Sequence, residues 1–295
     1  MIPGQAPCFI SPTREDWRET CSGIRIMNQN VATSAPFLVF TDLDGSLMDH
    51  ESYSIEAARP ALMALSRRGV TPIFASSKTA VEIFAAQHAS GITAPFICEN
   101  GAAVYDSSGQ ILAAFGLPRK SWLHAVHQLR KRLSLRFTGF SDWPAEKIAE
   151  LTGLSRADAG KAQRREFTEP MLWQDTQVNF QLFQSEIQRL SLTTLEGGRF
   201  ISIQSQFDKG KAMKWLQARQ SQPRPFLIAL GDSPNDLSLL AAADVAVVIK
   251  SDKSDHLDPQ GPATVIRTSI AGPAGWNDGI RQILNLLDSQ QLLIN

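Results

Sequence analysis

The chain has 295 residues, of which 43% are hydrophobic and 20% are charged. This composition is typical of a globular protein and excludes wholesale disorder and a fibrous architecture. Its 29 lysines and arginines equal its 29 aspartates and glutamates in number, whereas proteins that hold nucleic acid or anionic lipid by charge carry a basic excess. We therefore expect no nucleic-acid or membrane partner, and we expect any bound anion to be held at a local site.

The cysteines and the first residues of the chain give little sign of an oxidising or membrane environment. Cys8, Cys21 and Cys98 are widely spaced and lack a CxxC or Cys/His cluster, which disfavours structural zinc and a disulfide framework. The chain has no apolar run of about 18 residues and no basic segment followed by an apolar one at its start. We expect a cytoplasmic protein whose residues 1–35 form an N-terminal extension without a catalytic part.

From residue 36 the sequence alternates between predicted strands and helices. Strands that are apolar throughout are typical of a parallel sheet buried on both faces. The strand-helix-strand order indicates a doubly wound sheet with right-handed crossovers, in which ligands bind at the carboxyl ends of the strands. The predicted strands cover residues 37–40, 70–75 and 95–98, and the predicted helices run from Ser54 to Gly69 and from about residue 80 to 88.

The alternation breaks after the third strand and resumes near residue 206. The interrupting segment predicts helices that begin near Ser121, after Trp143 and after Ser155, followed by a hairpin over residues 192–204. The later part predicts a helix after Lys209, strands over 225–230 and 245–249, and a helix over 236–243. We therefore predict an α/β fold: a doubly wound parallel-sheet (Rossmann-like) core, residues 36–110 and 206–295, with an inserted α+β cap domain, residues 111–205.

Several charged and polar side chains far apart in the sequence are predicted to meet at one edge of this sheet. They are Asp42, Asp44, Ser76, Lys209, Asp232 and Asp236. Each alone is explained by a turn or a helix cap, but their conjunction at strand ends and helix starts indicates a site. Carboxylates and a lysine without histidine or cysteine suit phosphoryl transfer assisted by Mg²⁺. An aspartate can be the covalent nucleophile, and a second one nearby can protonate the leaving group and then activate water.

The first of these motifs resembles a known family. Asp42-Leu43-Asp44-Gly45-Ser46-Leu47 is similar to the first motif of the haloacid dehalogenase-like phosphatases, which usually have threonine where Ser46 stands. The resemblance implies that Asp42 is the nucleophile and Asp44 the general acid and base. It implies that Ser76 holds the transferring phosphoryl group, with Ser77 as the alternative, and that Lys209 is its charge partner. The implied Mg²⁺-binding residues are Asp42, Asp44 (through its carbonyl), Asp232 and Asp236.

The predicted cap and the motif at residues 76–79 restrict the resemblance to one subgroup and one branch of the family. An insertion after the third strand resembles the large-cap subgroup that acts on sugar phosphates. Most members carry Thr-Gly-Arg where this chain has Ser-Ser-Lys-Thr at residues 76–79, which looks like the mannosyl-3-phosphoglycerate phosphatase branch. Further matches to the branch are Glu99-Asn100-Gly101, Arg165-Glu166-Phe167-Thr168-Glu169-Pro170, Gly197-Gly198-Arg199-Phe200, Asp208-Lys209-Gly210-Lys211-Ala212 and Gly272-Pro273-Ala274-Gly275-Trp276-Asn277.

A glycosyl-phosphoglycerate combines a phosphate, a carboxylate and sugar hydroxyls. Its site needs a cationic hydrogen-bonding fork and acceptors for hydroxyls. Arg165 could bind the carboxylate and Glu169 the hydroxyls; alternatively the two form an ordinary surface salt bridge. The residues predicted to bind substrate are Gly45, Ser77, Lys78, Asn100, Gly101, Arg165, Glu169 and Asn235.

These patterns predict Mg²⁺-dependent hydrolysis of mannosyl- or glucosyl-3-phosphoglycerate through an aspartyl-phosphate intermediate. The partner would be a small phosphosugar, and the products would be phosphate and the glycosylglycerate. Alternatives that stay open are a sucrose-phosphate or hexose-phosphate phosphatase, a phosphomutase, and a non-catalytic phosphosugar sensor. The choice between mannosyl and glucosyl substrates and the oligomeric state also stay open at this stage.

Overall fold

A computed structural model of the chain describes residues 37–197, 199–220, 223–289 and Leu292. The predicted extension over residues 1–35 and Gly198 of the predicted hairpin turn lie outside the described residues. The strands are β1 Phe37–Thr41, β2 Ile73–Ala75, β3 Phe96–Cys98, β4 Ala103–Tyr105, β5 Ile111–Ala114, β6 Phe137–Gly139, β7 Glu169–Trp173, β8 Leu192–Glu196, β9 Ile201–Ser205, β10 Phe226–Gly231, β11 Val245–Lys250 and β12 Thr264–Ala271. The α-helices are α1 Arg59–Arg67, α2 Ala80–Ser90, α3 Arg119–Arg132, α4 Ala145–Thr152, α5 Arg156–Ala162, α6 Gln177–Gln188, α7 Lys209–Gln217, α8 Leu237–Ala241 and α9 Gly272–Asp288.

The large sheet has the strand order β12-β11-β10-β1-β2-β3-β4-β5. The pairs from β12 to β3 are parallel, whereas β4 and β5 run antiparallel to their neighbours. All five residues of β1 are buried, as expected for a strand covered on both faces. The predicted α/β fold with a parallel-sheet core is confirmed.

Helices cover both faces of this sheet. One face packs against side chains of α1, α2 and α9, such as Leu65, Ile83 and Ile280. The other face packs against α7 and α8, through residues such as Met213 and Leu240. Burial of apolar side chains between these layers is the dominant favourable contribution to folding.

Residues 111–114 lie in the large sheet, not in the cap as the sequence predicted. They form β5, which pairs with β4. The two strands are joined by a turn in which the backbone N–H of Asp106 donates to the carbonyl of Gln110 at 2.8 Å. This antiparallel hairpin interrupts the strand-helix alternation in sequence, as an inserted domain would, but it extends the core sheet.

The smaller sheet belongs to the inserted segment and has the antiparallel order β6-β7-β9-β8. Apolar side chains of α3 and α6 pack on it, among them Val126 and Phe183. The predicted hairpin is present as β8 and β9, with the N–H of Gly197 donating to the carbonyl of Phe200 at 3.0 Å. Within the described ranges, no helix is both long enough and apolar enough to cross a bilayer.

Candidate active site

Two neighbouring strands of the large sheet place the first carboxylates side by side. Asp42 follows β1 and Asp232 follows β10, and these strands pair in parallel with Thr41 opposite Leu230. Because parallel neighbours end at the same edge, their following residues meet there. One carboxylate oxygen from each of Asp42, Asp232 and Asp236 lies within 4.8 Å of the others. These three side chains are buried, so they form a compact group of negative charge.

The turn after β1 also approaches this group. Gly45 has a φ of +81°, and a Cβ added to it would lie 2.9 Å from Oδ2 of Asp232. Glycine therefore permits both the left-handed backbone and the close approach. The hydroxyl of Ser46, at the position where threonine is usual, donates to Oδ1 of Asp232 at 3.0 Å. Gly45 thus lies against the carboxylate group.

Lys209 is the cation in contact with these carboxylates. Its Nζ lies 2.7 Å from Oδ1 of Asp42 and 2.6 Å from Oδ1 of Asp236, and the lysine is fully buried. The other oxygen of Asp236 accepts the backbone N–H groups of Asp232 and Ser233, both at 3.1 Å. Both oxygens of Asp236 therefore have protein donors, and this residue holds Lys209 and the turn after β10 in place.

Burial and mutual repulsion shift the protonation of this group. Burial, and then the charge of Asp236, raise the pKa of Asp42 to about 7 even though Lys209 lowers it. The same two causes raise the pKa of Asp232 to about 8. Burial lowers the pKa of Lys209, but Asp236 and Asp42 outweigh it, so its pKa is raised and the lysine stays charged. Three carboxylates facing one ammonium leave negative charge uncompensated.

A hard divalent cation fits this donor set. Mg²⁺ prefers oxygen ligands and is usually held by one or two carboxylates together with substrate phosphate oxygens and water. Asp42 and Asp232 would hold the ion, because Asp236 already has donors on both oxygens. A bound Mg²⁺ supplies positive charge that stabilises phosphate oxygens.

Asp44 pairs with a different lysine from Asp42 and Asp236. Its Oδ2 lies 2.8 Å from Nζ of Lys78, and its buried Oδ1 has no hydrogen-bond partner within the described part of the chain. Burial lowers the pKa of Lys78, but the charges of Asp44 and Glu82 and the hydrogen bond to Asp44 together outweigh it, so the pKa of this lysine is raised. The Nζ of Lys78 also lies 5.2 Å from the centre of the Tyr53 ring. The carboxylate of Asp44 is therefore not part of the three-carboxylate group, and its role as general acid and base stays a prediction.

The two candidate serines occupy different positions in the loop after β2. This strand is the neighbour of β1 on the side opposite to β10. Ser76 is buried, and its hydroxyl accepts the backbone N–H of Lys78 at 3.3 Å. Ser77 is less buried, and its carbonyl accepts from Nη1 of Arg165 at 2.9 Å. Ser76 thus lies at the same sheet edge as Asp42, and its role in holding phosphate stays a prediction.

The predicted substrate-binding amides are engaged with protein groups. The Nδ2 of Asn235 donates to Oδ1 of Asn100 at 3.2 Å, and the Nδ2 of Asn100 lies 3.4 Å from Oε1 of Gln204. Gly101 has a φ of +100°, and an added Cβ would lie 2.2 Å from the carbonyl oxygen of Asp208, the cap of α7. These contacts support the start of α7, where Lys209 lies.

The two predicted cap residues do not pair with each other. Nη1 of Arg165 donates to the carbonyl of Ser77 and to the hydroxyl of Thr168, and its buried Nε has no hydrogen-bond partner among the residues described. The carboxylate of Glu169 accepts from the N–H and the hydroxyl of Ser141, both at 2.7 Å, and from Nη1 of Arg119 at 2.6 Å. The alternative of an Arg165–Glu169 salt bridge is therefore wrong. Arg165 faces the core, and Glu169 is buried inside the cap with both oxygens engaged.

Comparison with known proteins identifies the family to which this chain belongs. Residues 39–255 match the family model described as haloacid dehalogenase-like hydrolase. The chain belongs to the haloacid dehalogenase-like hydrolase family. Its structure resembles a haloacid dehalogenase subclass IIB sugar phosphatase with a TM-score of 0.62 and 15% identity, over 85% of this chain and 99% of that one.

Two further solved structures share the fold of this hydrolase. One is a haloacid dehalogenase-like hydrolase from Bacteroides thetaiotaomicron, with a TM-score of 0.60 and 17% identity over 84% of this chain and 99% of that one. The other is the sucrose-phosphatase from Synechocystis, determined with sucrose and phosphate, with a TM-score of 0.55 and 16% identity over 84% of this chain and 97% of that one. At these identities the likeness shows a shared fold.

Sequence reasoning missed several residues that support the site of this hydrolase. The indole N–H of Trp276 donates to the hydroxyl of Thr41 at 2.9 Å, and this hydroxyl donates to the carbonyl of Asp42 at 2.7 Å. The hydroxyl of Ser251, after β11, donates to the carbonyl of Asp232 at 2.6 Å. The match of residues 272–277 to the family branch was the available signal for Trp276. No comparable signal exists for a serine in a polar loop.

Proposed function

We propose that this hydrolase cleaves phosphomonoesters, with Asp42 as the nucleophile. The observation that carries the proposal is the contact of 2.7 Å between Asp42 and the buried Lys209, beside a second aspartate with an unpartnered oxygen. A buried lysine that stays charged favours the ionised, nucleophilic form of Asp42. The same lysine offers positive charge to a phosphoryl group that approaches Asp42.

The proposed reaction has two steps. In the first, a carboxylate oxygen of Asp42 forms a bond to phosphorus while the bond to the leaving alkoxide breaks, and Asp44 gives its proton to that alkoxide. In the second, Asp44 takes a proton from a water molecule whose oxygen attacks phosphorus, which releases phosphate and restores both aspartates. The contact of 2.8 Å from Nζ of Lys78 to Oδ2 orients the Asp44 carboxyl, so that the proton moved in both transfers would be carried by Oδ1.

We infer that the substrate is a sugar phosphate and, more narrowly, mannosyl- or glucosyl-3-phosphoglycerate. Arg165 supports this inference, because its guanidinium is half-buried and its Nε, which has no partner among the described residues, can donate a hydrogen bond to a carboxylate. Lys78 adds a second positive charge within the loop after β2, residues 76–79, which we call the phosphate-binding loop because Ser76 would hold the phosphate there. The resemblance of residues 76–79 to the mannosyl-3-phosphoglycerate phosphatase branch points the same way. A cap over the site would exclude water and align the phosphate.

A phosphate-release panel with Mg²⁺ tests the proposal. It would compare mannosyl-3-phosphoglycerate, glucosyl-3-phosphoglycerate, sucrose 6-phosphate and glucose 6-phosphate, with Asp42→Asn and Asp44→Asn as inactive controls. We expect the highest kcat/KM for a glycosyl-3-phosphoglycerate. Preference for the sucrose or hexose phosphate would refute the narrower substrate. An isomerised product without free phosphate would indicate a mutase, and binding without turnover would indicate a sensor.

A substitution at Arg165 tests the carboxylate contact separately. Arg165→Met should raise KM for glycosyl-3-phosphoglycerates by about tenfold to a hundredfold, the usual cost of an unpaired charged hydrogen bond, and should change KM for a hexose phosphate much less. Arg132→Met is the matched control, because Arg132 pairs with Glu186 at an exposed position of α3. Equal changes for substrates with and without a carboxylate would contradict the assignment.

A further inference from the structure

The carboxylate of Glu99 joins the core to the cap. Glu99 is buried and directly follows β3 of the large sheet. Its Oε1 accepts the backbone N–H of Glu166 at 2.8 Å, and its Oε2 accepts those of Phe167 at 3.1 Å and Thr168 at 2.8 Å. The hydroxyl of Thr168 donates to the same Oε2 at 2.7 Å. One core carboxylate thus binds three consecutive N–H groups of the cap, an arrangement that suits an anion.

The backbone of Glu99 is held in an uncommon conformation. Its φ is +45°, and the two residues that follow have φ values of +62° and +100°. Left-handed backbone is unfavourable for a residue with a Cβ and persists where the surrounding contacts impose it. The N–H of Glu99 donates to the carbonyl of Lys78 at 2.9 Å. Hydrogen bonds of Glu99 therefore connect this turn both to the loop after β2 and to the cap.

These hydrogen bonds belong to a network that also includes Arg165. The hydroxyl of Thr168 donates to Glu99 and accepts from Nη1 of Arg165 at 3.0 Å. The same Nη1 donates to the carbonyl of Ser77, next to Lys78. Thr168 therefore links Arg165 to Glu99, in addition to the contact of the guanidinium with the ring of Phe140, whose centre lies 5.3 Å away.

The segment held by Glu99 lies where the chain passes between core and cap. One passage leads from β5 to α3 and the other from β9 to α7. A Cβ added to Gly116, in the first passage, would lie 3.0 Å from the ring of Phe167 and 2.9 Å from the ring of Phe207, in the second. Phe167 is buried among residues of the core. Glu99 thus binds the cap close to its two connections with the core.

We propose that Glu99 is a positioning residue that sets the place of the cap, and through Thr168 the place of Arg165, relative to the phosphate-binding loop. The proposal rests on the proposed function in that the preferred substrate reaches Arg165. Glu99 takes no part in the chemistry at Asp42. Replacing one of its carboxylate oxygens by an amide NH2 leaves the N–H donors on that oxygen without an acceptor and facing another donor, so the segment they belong to shifts and a contact far from phosphorus is lost.

The test uses three variants of the full chain, Glu99→Gln, Thr168→Val and Thr168→Ser. Steady-state kinetics would be measured with the best glycosyl-3-phosphoglycerate and with p-nitrophenyl phosphate, which is too small to span both sites. Glu99→Gln should raise KM for the larger substrate by about tenfold or more, with a much smaller change in kcat and in the p-nitrophenyl phosphate reaction. Thr168→Val should follow in the same direction, and Thr168→Ser, which keeps the hydroxyl, should restore wild-type KM. Lys147→Ala, at an exposed pair with Glu150, should match the wild type throughout.

Hydrogen exchange supplies a readout that needs no substrate. In Glu99→Gln the backbone amides of Glu166, Phe167 and Thr168 should exchange faster than in the wild type, while those of Lys147→Ala should not. Wild-type kinetics and exchange in Glu99→Gln would overturn the proposal, as would an equal loss of kcat for both substrates without a change in KM. If Glu99→Gln does not fold, the Thr168→Val and Thr168→Ser pair decides by KM and exchange.

The two proposals fail in different ways. A wild-type enzyme without preference for glycosyl-3-phosphoglycerates refutes the narrower substrate. The exchange comparison, and KM for the best substrate of the panel, still decide the role of Glu99 in that case.

Discussion

Replacing Lys209 by methionine should make the stability of this hydrolase depend strongly on pH. The fully buried ammonium lies between the carboxylates of Asp42 and Asp236, and methionine has a similar length without the charge. Removing one partner of a buried ion pair costs about 3–5 kcal/mol, because the remaining charge is left without compensation. At about pH 8 we expect the free energy of unfolding to fall by about that amount, because the carboxylates left without their lysine then either stay charged in a buried site or bind a proton from a dilute pool.

The sign of the pH dependence follows from proton uptake. The pKa of Asp42 is already raised to about 7, mainly by burial, although Lys209 lowers it. Loss of the lysine raises this pKa further, so above about pH 7, where Asp42 of the folded wild type loses its proton, the folded variant still holds one. Its stability then falls as pH rises, by about 1.4 kcal/mol per pH unit for each extra proton. One extra proton between about pH 7 and pH 8 gives a difference of about 1.4 kcal/mol between the two proteins.

Urea unfolding in the presence of a chelator measures this difference. The wild type, Lys209→Met and the double variant Asp42→Asn/Lys209→Met would be compared at about pH 5.5 and pH 8. The deficit of Lys209→Met should be larger at the higher pH, and the double variant should recover part of it there because one unpaired charge is gone. A deficit that is the same at both pH values, or larger in acid, would refute the electrostatic reasoning.

Three further predictions concern the metal group and its supports. Mg²⁺ should raise Tm more at about pH 8 than at about pH 6. Burial and a neighbouring carboxylate raise the pKa of Asp232 to about 8, so below this pH protons compete with the metal for Asp232. An equal rise in Tm at both pH values, or a rise in Asp232→Asn as large as in the wild type, would contradict this. Gly101→Ala should lower the free energy of unfolding by more than about 2 kcal/mol, because the added Cβ would clash with the backbone of Asp208. Gly91→Ala is the control: Gly91 also has a positive φ but lies in open space, so this variant should lose only about 1 kcal/mol. Equal losses of the two variants in urea unfolding would argue against the clash. Trp276→Phe should lose about 1–2 kcal/mol by calorimetry, because the hydroxyl of Thr41 loses its donor; an unchanged Tm would show that this bond contributes little.

The parallel core could be predicted because its strands are apolar throughout. The predicted strands at residues 37–40 and 225–230 correspond to β1 and β10, Phe37–Thr41 and Phe226–Gly231. Polar residues that follow such strands must meet at one edge, so the proximity of Asp42 and Asp232 could be expected from the sequence. Helix α6, Gln177–Gln188, was missed because its buried residues are few and lie among polar ones.

The partners of individual side chains could not be predicted in the same way. Spacing of four residues would bring Arg165 and Glu169 together on a helix, but Glu169 begins β7, where the extended backbone directs it into the cap. Likewise, the distance from Asp44 to Lys78 depends on how the loop after β2 packs against the turn after β1. Such pairings depend on tertiary geometry and rotamers, which short motifs do not specify.

The discontinuous sheet also constrains how the protein can be made. β1 lies in the middle of the sheet beside β10, and Asp42 precedes its partner Lys209 by 167 positions in the chain. During synthesis the first strands and the whole cap emerge before β10 does, so the apolar edge of β1 stays open and can pair with other chains. A fragment that stops before residue 226 therefore lacks the complete site and exposes a strand edge that favours aggregation.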